Sequence, residues 1–175
     1  MTEEKRGRGR PKGAPNKPKM ELITERKNLT QNADVFEILC QANIVAGEDK
    51  AKAINGLRVF NNRNAAVRYV LQWIHDVNVK STLPEGKTPY TPNPAPSTDL
   101  AETSLRFEVR QFKYFCTEQV SQVKRENMWI QMLEGIPAKE AEMIDLVKDK
   151  VNPFPNITKE IASEAFPNVF KVFMP

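Results

Sequence analysis

From Asp34 onward the apolar residues of this chain recur three and four positions apart. That spacing gathers side chains on one face of an α-helix and scatters them in a strand. Asp34 is placed to cap a first helix carrying Val35, Ile38, Leu39, Ala42 and Val45 and stopping at Gly47. Glu48-Asp49 open a second with Ala51, Ile54, Leu57 and Phe60, and a polar break at 61–64 precedes a third with Ala66, Val67, Val70, Leu71 and Ile74. Leu105, Val109, Phe112, Cys116 and Val120, at steps of four, three, four and four, predict one continuous helix. It would start at Thr98 or Asp99, reach about Val123 and extend toward Leu133, with Gly135 as its stop. Phe107, Tyr114 and Phe115 widen its apolar face, so it is expected at the centre of the fold or against a partner.

Ile136-Pro137 begin a further helix, with proline suited to the first position. Glu140 and Glu142 early and Lys148 and Lys150 late complement its dipole, the two carboxylates reading as ordinary surface charges, while Pro153 and Pro155 close it. Thr158 caps a last short helix to Phe166, and the terminal Val169, Phe170, Val172 and Phe173 are expected to dock on the body. Residues 81–98 hold five prolines in eighteen positions, which forbids a helix. Pro89-Tyr90-Thr91-Pro92 fits a loose PxxP pattern that a partner domain can read. The preferred reading is an ordered strap pinned by Leu83 and Tyr90. The expected fold class is all-α, a compact multi-helix domain with a Pro-rich internal strap. Its parts are a disordered basic arm at 1–32, a short-helix block at 33–78, the strap at 79–98, and the long helix and C-terminal helices at 99–175.

Charge sets the arm apart. Residues 1–19 hold seven cations (Lys5, Arg6, Arg8, Arg10, Lys12, Lys17, Lys19) against Glu3 and Glu4. The whole chain carries a net charge of +4, so the arm exceeds it at +5 and the remainder is left at −1. A uniformly basic nucleic-acid-binding body is thereby disfavoured. Glycine and proline fill six of the nineteen arm positions without apolar periodicity, a composition that cannot offset its ordering entropy. In Arg8-Gly9-Arg10-Pro11 the glycine lets backbone approach a groove floor and the proline keeps it extended. Two arginines can then lie along the narrow, negative minor groove of A·T-rich DNA, where a guanine amino group would obstruct them.

These residues, flanked by Lys5, Arg6 and Lys12, resemble the AT-hook, a short DNA-binding motif. The resemblance covers residues 5–13 and implies minor-groove insertion of Arg8 and Arg10, with the lysines on phosphates. Lys17 and Lys19 extend the phosphate contacts. The other reading of the arm is a generic cationic tail, and a single hook binds weakly and with steep salt dependence.

Within the body, Arg63, Arg68 and the lone His75 can be placed facing DNA, as can Arg106, Arg110 and Lys113 beside Tyr114. Interleaved Glu102 and Glu108 blunt the second set, and a solvated face is preferred for both. Cys40 and Cys116 lie 76 positions apart in apolar segments and read as small buried hydrophobes. One histidine leaves little room for a His-based triad or multi-His metal site, and GRGRPKG lacks the spacing of a phosphate loop. No catalytic residue, metal or cofactor is expected, and the chain reads as a non-enzyme. No run of about 18 apolar residues suits a membrane span, and no signal peptide is expected.

The stretches LPEGKTPYTPN (83–93), LRFEVRQFKYF (105–115), LEGIPAKEAEMIDLVKDK (133–150) and ITKEIASEAFP (157–167) resemble, in that order, a functionally uncharacterised family of T4-like tailed-phage proteins. That resemblance implies a phage setting and no activity. The expected function is a DNA-binding accessory protein in the infected bacterial cytoplasm, at the nucleoid or in the virion. Its expected partners are A·T-rich duplex DNA, a phage or host protein, and the chain itself, with no membrane. Alternatives are a virion or assembly component and a small inhibitor of a host enzyme.

Overall fold

The computed structural model describes residues 19–96 and 98–171. Three helices come first: α1 (Val35–Ala46), α2 (Lys50–Asn61) and α3 (Ala66–His75). After the strap follow the short α4 (Leu105–Glu108) and α5 (Phe112–Phe115), then α6 (Gln122–Gly135), α7 (Ala138–Val147) and α8 (Lys159–Ala165). The fold is all-α, and no strand occurs among the described residues.

Local chemistry sets the starts of three helices. At α1, Asp34 accepts from Glu37 N at 2.7 Å while Glu37 accepts from Asp34 N at 3.2 Å, a reciprocal capping box, and Gly47 closes the helix. Asp49 and Thr158 cap α2 and α8 through Lys52 N and Ile161 N. Pro137 occupies the capping position of α7 rather than its first turn.

The long helix expected from Thr98 to about Val123 is instead broken. A 3₁₀ turn at Thr98–Leu100 is separate, α4 and α5 are joined by a 3₁₀ turn at Val109–Gln111, and residues 116–121 are non-helical. The reason is tertiary. The Phe115 carbonyl, which a continuing helix would use internally, accepts from both Thr82 N (2.8 Å) and Thr82 Oγ1 (3.0 Å) of the strap. Buried Arg125 of α6 reaches back with Nη1 to the carbonyls of Thr117 (3.0 Å) and Val120 (3.2 Å), satisfying backbone groups left by the break. Phe107, expected to widen the apolar face, is 56% exposed, two positions from the buried Leu105 and Val109 and so on the other side of the helix.

The block 33–78 does not close on itself. α2 and α3 pack on α8, and α1 and α3 on α7, so a single core runs through the described body. At its centre Trp73 meets Phe112 edge-on at 5.2 Å and Trp129 at 5.9 Å, and Phe115 meets Trp129 at 4.9 Å. Such pairs add about 0.5–1.5 kcal/mol each beyond their buried area. Val169 is buried and Phe170 packs against the core, so the end of the described chain docks as expected, while Val172 and Phe173 lie outside the described residues.

The strap is ordered and pinned. Leu83 is buried and Tyr90 half-buried against the core. Asp145 accepts from Thr88 N at 3.0 Å and from its hydroxyl, which in turn accepts from Trp129 Nε1 at 3.1 Å. Lys148, its side chain fully buried, donates to the Gly86 carbonyl (2.6 Å) and to Asp149 (2.8 Å). Gly86 sits at φ +90°, a conformation that excludes most side chains.

Candidate functional site

The basic arm enters the body at one defined point. Lys19 is exposed, and Met20, only 9% exposed, inserts into the core. Residues 21–32, expected to belong to the arm, lie along α1 instead. Leu22, Ile23 and Leu29 pack on the core. Gln41 of α1 clasps the segment, accepting from Lys27 N (3.0 Å) and donating through Nε2 to the Glu25 carbonyl (2.8 Å). Of the expected DNA-binding residues, Lys5, Arg6, Arg8, Gly9, Arg10, Pro11, Lys12 and Lys17 lie outside the described residues, and Lys19 stands at the arm's root.

Beside that root runs an open groove of about 690 Å³. Leu22, Ile23, Phe36 and Pro137 contribute apolar surface, and Glu21, Glu25, Asp34, Glu37 and Asp99 contribute carboxylates. Two lysines oppose them, and one, Lys139, is paired with Glu142 at 3.1 Å. The like charges register in Glu37, whose carboxyl is held above its ordinary pKa by burial and then by Asp34, with Asp99 acting in the same direction.

Below the groove lies a residue that its sequence position disguised. Glu140, read as a surface charge, is completely buried. Its two carboxylate oxygens accept from Val35 N (2.8 Å) and Leu105 N (2.9 Å), the first amides of α1 and α4. One carboxylate thus satisfies orphan donors of two helices at once. Burial, followed by the Asp34 charge, pushes its pKa up to about 8 against the opposing pull of those two amides. The available signal was periodic: Glu140 falls four residues after Ile136 and four before Ile144, on the stripe that α7 buries. Lys148, four beyond Ile144, is buried on the same stripe.

The body's other candidates do not converge. Arg63 is exposed, whereas Arg68 is half-buried with its guanidinium 4.7 Å from the Tyr69 ring centre. His75 departs from the expected solvated face: it is half-buried, and burial lowers its pKa. Arg106 and Arg110 are exposed as expected, and Lys113 is half-buried. Cys40 is buried and Cys116 half-buried, both free, with thiols pushed by burial up to about 11 and about 12. Lys150, expected at a helix end, lies beyond α7 at φ 61° and donates to the Trp73 and Asp76 carbonyls at the end of α3. No group of His, Cys, Asp and Glu among the described residues can hold a metal ion. No helix among them is long and apolar enough to cross a membrane.

A family profile matches residues 40–152, from the middle of α1 to just past α7. The chain belongs to this family of unknown function (DUF6433). The matched stretch includes the strap, Glu140, Asp145 and Lys148, and excludes the arm and α8. Comparison with curated proteins and with solved structures finds no match.

Proposed function

We propose that this DUF6433 protein is a phage-encoded DNA-binding accessory protein. Its arm holds the minor groove of A·T-rich DNA through Arg8 and Arg10, with Lys5, Arg6, Lys12, Lys17 and Lys19 on phosphates, and its helical body engages a protein partner. The observation that carries this reading is the fixed root: Met20 is seated in the core one residue after the exposed Lys19, so whatever the arm holds is tethered to the body. Tethering makes a weak hook useful, because it raises the local concentration of the body at DNA without any new contact. The role is binding rather than catalysis, which accords with the buried Glu140, Asp145 and Lys148 being engaged with backbone groups and one another. The bacterial cytoplasm is the corresponding location.

A gel shift of A·T-rich against G·C-rich duplexes at two salt concentrations tests the reading. Wild type is expected to prefer the A·T duplex and to lose that preference in Arg8→Ala/Arg10→Ala. Equal binding to both duplexes, untouched by the double substitution, would leave only a cationic tail.

A further inference from the structure

We propose that the groove beside Met20 is the arm's own docking site, taken by its basic residues when DNA is absent. The occupant is residues 5–17 of the same chain. This deepens the DNA-binding reading, and its consequence for DNA rests on that reading. Three observations converge on it. The groove begins where the arm ends, since Glu21 lines it two residues after Lys19. Its charge is opposite to the arm's, with Lys27 the one cation there that is not in an ion pair among the described residues. Its carboxylates lie close enough to interact: after the larger effect of burial, Asp34 and then Asp99 act to raise the pKa of Glu37, so an added cation relieves repulsion between groups already present.

Geometry allows the contact. Lys12 is seven residues from Lys19, a reach of up to about 25 Å for extended chain. A tethered segment also samples the groove at a local concentration of about millimolar, so weak exposed pairs suffice. The half-buried Leu22 and Ile23 can take the aliphatic stems of lysine and arginine beneath their charged heads. DNA, with far denser negative charge, competes for the same residues. The body would thereby hold the hook off weak, non-specific sites and release it on strong ones.

Zero-length carbodiimide coupling on the full chain reads the contact without DNA. The expected products join Lys5 or Lys12 to Glu25 or Asp99 within one chain, in a yield independent of protein concentration. High salt should suppress them. Absence of these products overturns the proposal, and so does a yield that rises with concentration, which assigns the groove to a second copy. A companion binding assay uses Glu21→Gln/Glu25→Gln/Asp99→Asn, three exposed side chains with no hydrogen bond of their own among the described residues. Its control removes the same charge elsewhere, as Glu85→Gln/Glu118→Gln/Glu164→Gln, all exposed. The groove variant is expected to bind A·T-rich duplex about threefold or more tighter than the control. Equal affinity for the two variants overturns the proposal. Cross-links that persist in a protein with no affinity for any duplex uphold the dock and reject the DNA-binding reading, so the two failures are distinguishable.

Discussion

Glu140 shows how a single side chain can organise distant backbone. Replacing it with alanine removes the acceptor for two buried amides, each costing about 1–3 kcal/mol when left unpaired. Glu140→Ala is therefore expected to lower unfolding free energy by about 2–6 kcal/mol in denaturant titration. The pH dependence has a definite sign. A carboxyl whose folded pKa is raised contributes stability that is fully present below its ordinary value, near 4.5, and lost as pH rises through about 8. Asp34, the cap of α1, and Glu37 within it act on Glu140 in the same raising direction. Between those limits wild type should lose stability relative to Glu140→Gln, whose neutral amide carries no such slope. Parallel slopes in the two proteins would exclude Glu140 as the titrating group. Gly86 gives a second residue-level test. A Cβ there would meet nothing within 4 Å, so Gly86→Ala measures only the positive φ, and a cost of about 1–2 kcal/mol is expected. The buried thiols supply a third: at pH 8 a thiol reagent should label Cys40 only as fast as the protein opens.

Among the elements, α1, α2 and α8 were legible because their signals are local. An Asp or Thr cap and a three-to-four spacing act within one turn and need no distant partner. The run from Leu105 to Val120 has the same spacing yet is not one helix, because Thr82, over thirty residues upstream, takes the Phe115 carbonyl. Periodicity records which faces are apolar and cannot record where the strap will cross. Asp145 is the strap's principal anchor through Thr88. Asp145→Ala is expected to cost about 1–3 kcal/mol and to raise hydrogen exchange at Thr88 more than in α1. Uniform acceleration across the molecule would mean that the strap does not open on its own.

At the scale of the whole molecule, the core joins both halves of the sequence and recruits Met20 from outside the helices. Met20→Ala should destabilise the body by about 1.5–3 kcal/mol and make residues 21–32 open to proteolysis before α1 is cut. This would also loosen the root on which the proposed tether depends. The charge division at residue 19 and the pattern of the arm belong to the sequence, because composition and adjacent residues suffice to define them. The all-α class and the capped starts of α1, α2 and α8 belong there too, since helix spacing and caps are short-range. Tertiary structure decided the rest. It placed the 21–32 segment on α1, broke the expected long helix, buried Glu140 and Lys148, and set an acidic groove beside a basic root. Those outcomes depend on desolvation and on hydrogen-bond partners remote in sequence, and such partners exist only once the chain has closed on itself.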